Sequence, residues 1–189
     1  MRRSRIVPCV LFAVLCGAIS APRAQSTSGR NAPELAGFKT RVNQYAELSR
    51  RLEATLPKLP TEATPEAIDR NQRAFETLIV ASRPKARAGD VFTPTGQSYI
   101  RALMKRVFAG ADRDRLLGTI LDENPGPVPL TVNGRYPADA PLASMPPEVL
   151  AALPELPKEL EYRFVGRALI LLDPHAHIVV DLVPAALPQ

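Results

Sequence analysis

Cysteine, tryptophan and histidine are scarce in this chain of 189 residues, and each scarcity removes a class of chemistry. The only cysteines are Cys9 and Cys16, both inside the first twenty residues. The remainder has no thiol, and therefore no disulfide, thiolate metal site or cysteine nucleophile. There is no tryptophan and aromatics make up 5% of residues, so a carbohydrate-stacking surface is not expected. His175 and His177 are the only candidates for a general-base imidazole. No Gly-x-Ser-x-Gly elbow is present and no Ser-x-x-Lys opens a helix. A Gly-rich phosphate loop, a His-Glu-x-x-His helix and a calcium loop are also missing.

What is present begins with an address. Arg2, Arg3 and Arg5 precede an uncharged run from Ile6 to Ile19 and small residues at Ala18 and Ser20. This is the pattern of a secretory signal peptide over residues 1–20, and the run is too short for a membrane span. The expected destination is the periplasm or the exterior, with no membrane span in the mature chain. Without the three leader arginines the net charge of +5 falls to +2, which gives no reason to expect a nucleic-acid partner. Residues 21–32 are small and polar and are expected to form a disordered lead-in.

Residues 33–124 carry helical periodicity. Leu35, Phe38, Val42, Tyr45, Leu48 and Leu52 recur every three or four positions in a helix opened by Pro33. Leu56-Pro57-Lys58-Leu59-Pro60 is a stiff connector. Thr64-Pro65 starts a second helix with Ile68, Phe75, Leu78 and Ile79 on one side, and Thr93-Pro94 starts a third with Tyr99, Leu103, Met104 and Phe108. Asp112 can cap a fourth that holds Leu116, Leu117, Ile120 and Leu121. The basic residues Arg101, Lys105, Arg106, Arg113 and Arg115 read as a solvated face.

Nine prolines fall in residues 125–157 and exclude long helices and central strands there. Asn133-Gly134 suits a tight turn, so Val128 to Tyr136 is expected to add an edge to a sheet. Pro146 to Leu153 reads as a two-turn helix, and its leucines suggest a segment wrapped over the core. In residues 158–189, apolar β-branched runs flank Asp173-Pro174-His175-Ala176, the pattern of a β-hairpin. Tyr162, Phe164, Ala168 and Ile170 are expected on one face, with Glu161, Arg163 and Arg167 on the other. From Ala168 to Leu172 and from Ile178 to Val183 both faces are apolar, which predicts cover on both sides. Pro174 rules out a type I′ turn, so a longer loop or a bulge is expected.

These readings combine into an α+β fold, with a four-helix N-terminal part sharing one core with a small C-terminal antiparallel sheet. The composition favours an exported, non-enzymatic binding or interaction protein, with no cofactor expected and with an apolar ligand or another protein as its partner. A groove lined by Tyr99, Leu103, Phe108, Tyr162 and Phe164 would hold that partner, although the same residues suit a core. A second reading places a metal at Asp173, His175 and His177, because alternate strand positions put both imidazoles on one side. A third is a hydrolase with an unrecognised carboxylate site.

Leu153-Pro154-Glu155-Leu156-Pro157 with Leu160-Glu161-Tyr162-Arg163-Phe164-Val165-Gly166-Arg167, and the runs Leu169 to Asp173 and Ile178 to Asp181, resemble the C-terminal part of small exported bacterial proteins. This stretch is also similar to the hairpin of the periplasmic nickel/cobalt-homeostasis proteins of the RcnB type, where a proline-led segment precedes Tyr-x-Phe/Trp-Val-x-x-Gly. The resemblance implies an exported hairpin module with a distant link to metal homeostasis, and it carries over no functional residue.

Overall fold

A computed structural model describes residues 27–124, 128–137 and 140–189, with only the backbone described for 27–31. The leader and residues 21–26 lie outside the described residues. Among the described residues five helices precede three strands: α1 (Thr27–Glu53), α2 (Pro65–Ser82), α3 (Pro94–Val107), α4 (Arg113–Asp122), α5 (Pro147–Ala152), β1 (Glu161–Val165), β2 (Ala168–Asp173) and β3 (Ile178–Val183). The protein is α+β, as its pattern of periodicities predicts.

The helix starts follow from their caps. Thr64 Oγ1 accepts from Ala67 N at 3.3 Å and Thr93 Oγ1 from Gly96 N at 3.1 Å, each with proline at the first helical position. Asp112 occupies the cap position of α4 but makes no capping bond; its carboxylate turns to Arg115 instead. The first helix departs further from expectation. It runs from Thr27, so the expected lead-in is helical from that point and Pro33 lies inside the helix. Ile68 and Leu121, expected on buried stripes, face outward.

The sheet has the order β1-β2-β3 and is antiparallel throughout. The stretch read as one long strand is broken at Gly166-Arg167, where Gly166 adopts a φ of 56° that suits glycine. Val165 pairs with Ala168 across this two-residue turn. The turn reverses the parity of every following side chain, which corrects the expected faces. Tyr162 and Phe164 join Leu169 and Leu171 against the helices, while Ile170 lies on the opposite face with Val165 and Leu172.

Both faces are covered. The main core joins α1 to α5 with the inner face of the sheet through Phe38, Val42, Ile79, Ile100, Met104, Ile120 and Phe164. On the outer face, Tyr136 with Val128, Leu130 and Ala140 covers Ile170, Leu172 and Val179. Each such side chain contributes about 1.5–3 kcal/mol on burial. Residues 133–136 lie along the outer edge of β3, with Asn133 N donating to Val179 O at 2.8 Å and Tyr136 N to His177 O at 2.9 Å. The expected edge therefore forms, though it is a bridge at Arg135 rather than a strand from Val128.

The β2–β3 connection has both expected departures from a tight turn. Residues 174–177 form the loop between the paired Asp173 and Ile178, and the register slips by one residue at Val180.

Candidate functional site

The proline-rich segment Leu153 to Pro157 lines two clefts in the surface. Leu153 leaves α5 in an extended conformation, and Pro154 and Pro157 prevent any continuation of the helix. Leu153 is anchored in the core, and the Tyr162 hydroxyl donates to Pro154 O at 3.0 Å. Burial pushes the Tyr162 pKa well above the usual phenol range, with the nearby Tyr99 acting in the same direction, so the phenol keeps its proton. The result is a clamped ridge with a cleft on each side.

One cleft, of about 480 Å³, lies between the ridge and α1 and is walled by Leu35, Phe38, Lys39 and Tyr99. The other, of about 570 Å³, lies between the ridge and β1 and is walled by Met145, Leu150, Leu153, Leu156, Leu160 and Tyr162. Its rim carries Glu155, Glu161 and Arg163. Arg163 pairs with Glu161, whereas Glu155 is exposed and forms no ion pair among the described residues. Leu150 is 51% exposed, an apolar side chain with one face open to solvent.

The expected groove closes for the most part. Leu103, Phe108, Tyr162 and Phe164 are buried core residues, with Tyr99 packed against them. Of these five, Tyr99 and Tyr162 line the two clefts beside the ridge, one in each. The leucines of the proline-rich segment form the apolar surface instead. The signal in the sequence was the recurrence of leucine and proline, which forces an extended chain.

The metal ligand set does not assemble either. Asp173 is fully buried: Oδ2 accepts from Tyr45 and Ser49, and Oδ1 from the backbone of His175 and Ala176. His175 points outward to Glu53 at 3.1 Å, and the His177 ring sits beside Tyr136 with centroids 5.9 Å apart. Among the described residues no group of three or more His, Cys, Asp or Glu is placed to hold a metal ion.

The buried acids serve the fold. Asp181 accepts at Oδ1 from Gly89 N at 3.0 Å and at Oδ2 from Val91 N at 2.7 Å and Phe92 N at 2.8 Å, binding the loop between α2 and α3 to β3. Glu159 is buried with Arg50 Nη1 at 3.0 Å, but neither of its oxygens has an aligned hydrogen bond. None of these three acids lines either cleft beside the ridge.

No family model matches the chain, and no curated protein or solved structure matches it either. No described helix is long and apolar enough to cross a membrane.

Proposed function

We propose that this is an exported, non-enzymatic binding protein that takes an apolar ligand or peptide segment in the cleft between the Leu153–Pro157 ridge and β1. The observation behind the reading is the combination of an open apolar wall, with Leu150 51% exposed, and a ridge held rigid by its two prolines and the Tyr162 hydrogen bond. A preformed apolar surface loses little conformational freedom on binding. Export rests on the leader-like residues 1–20, and sequencing the N-terminus of protein recovered outside the cytoplasm should give Ala21.

Native mass spectrometry of untagged protein tests for a co-purifying ligand. The cleft itself is tested with 8-anilinonaphthalene-1-sulfonate, an apolar probe that fluoresces when shielded from water. Binding should be lost in Leu150→Asp, a change at an exposed position that leaves the core intact. Equal probe binding by the wild type and Leu150→Asp would overturn the assignment.

A further inference from the structure

The ridge has a counterpart elsewhere in the chain. Leu153-Pro154-Glu155-Leu156-Pro157 matches Leu56-Pro57-Lys58-Leu59-Pro60 at every position except the central one, where the charge is reversed. The second segment links α1 to α2 and is held by Asn71 Nδ2, which donates to Pro57 O at 3.1 Å. Leu59 is 42% exposed there and Lys58 is exposed beside it.

The residues at the centres of the two segments, Lys58 and Glu155, carry opposite charges. Beside the α1–α2 segment, Arg50 pairs with Glu159 and Glu53 lies 3.1 Å from the His175 imidazole, whereas Lys58 forms no ion pair among the described residues. Beside the ridge, Glu161 pairs with Arg163 and Glu155 is left over. Each surface therefore combines exposed leucine, a proline-stiffened extended backbone and a central charge that forms no ion pair among the described residues, and the two charges are opposite.

We infer that the occupant of the ridge cleft is a second copy of this chain, which inserts Leu59 of its Leu56–Pro60 segment against Leu150 and Leu156 and sets Lys58 against Glu155. The inference rests on the cleft reading above and names its partner. The contact joins two different surfaces, so it is head-to-tail and grows into a ring or an open chain rather than a two-fold dimer. Stiff proline-containing segments limit the ordering cost on each side.

Sedimentation velocity on the purified full chain, up to about 1 mM because so small a contact is weak, reads the association. The wild type should associate, and K58E or E155K alone should weaken it about tenfold by setting like charges together. The double variant K58E/E155K should restore it. Carbodiimide crosslinking of a mixed ¹⁴N/¹⁵N sample should join Lys58 and Glu155 peptides of different isotopic labels. A monomer throughout, or association indifferent to both reversals, overturns the inference. If probe binding in the cleft is still lost in Leu150→Asp, only the partner assignment falls; if that too is unchanged, the cleft reading falls with it.

Discussion

The hydroxyl of Tyr45 in α1 donates to Asp173 Oδ2 at the end of β2 across 2.9 Å, joining residues 128 positions apart. Burial, and then the Asp173 charge, push the Tyr45 pKa far above the usual phenol range, so the donor is permanent. Arg83 lies over the Tyr45 ring at 5.1 Å from its centroid and also reaches Val180 O, so helix and sheet meet at a single polar cluster within the core. Tyr45→Phe should lower stability by about 1–2 kcal/mol. Asp173→Ala should cost more, about 3 kcal/mol, because it leaves the Tyr45 and Ser49 hydroxyls and two turn amides without an acceptor. Urea denaturation of the two variants checks the order.

Asp181 makes the corresponding tie from β3 to the α2–α3 loop. Asp181→Ala removes the acceptor for three loop amides, two of them in buried bonds, and should cost about 3 kcal/mol. Asp181→Asn keeps one acceptor oxygen and should lose less. Hydrogen exchange at Val91 and Phe92 should rise in the alanine variant before exchange elsewhere; uniform change across the chain would contradict this local role.

His177 gives the fold a pH dependence. Burial lowers its pKa and the Arg135 charge lowers it further, with Glu76 opposing, and its Nε2 has no hydrogen-bond partner among the described residues. The folded value lies below the unfolded one of about 6.5, so the unfolded chain takes up a proton first as pH falls. This contribution is therefore fully present above about pH 6.5 and is lost as pH drops towards the folded value. His177 also has a φ of 56°, which asparagine tolerates. His177→Asn should show a smaller drop in urea midpoint between about pH 7.5 and 5.5 than the wild type.

Deleting residues 160–189 tests whether there is one core. Tyr162, Phe164, Leu169, Leu171 and Val183 pack in the same cluster as Phe38, Phe75 and Ile100. The truncated protein should lose its cooperative thermal transition. Unchanged melting by circular dichroism would mean that the helices hold a core of their own.

What could be read in advance was local. Thr64-Pro65 and Thr93-Pro94 announce helix starts because a hydroxyl acceptor and an absent N–H suit the first turn, and Asn133-Gly134 announces a turn that Asn133 makes with a φ of 63°. The apolar runs in β2 and β3 announce cover on both sides. Gly166-Arg167 escaped because Ala168 and Ile170 continue the alternation of Tyr162 and Phe164, and only the positive φ of Gly166 reveals the reversal. The site was harder for a different reason. Leu103 and Phe164 have the spacing of either a core or a groove, and which one results depends on elements far away in sequence. Asp173 looked like a metal ligand beside His175 for the same reason: its partners, Tyr45 and Ser49, lie 128 and 124 positions earlier.

That separation governs how the chain is made. When Tyr45 leaves the ribosome, the strand end that accepts its hydrogen bond has not been synthesised, and neither has the inner sheet face that covers the helix stripes. The helices can form early, since their contacts are local, but their apolar sides stay uncovered until β3 arrives. The shared core therefore cannot close before β3 has been made.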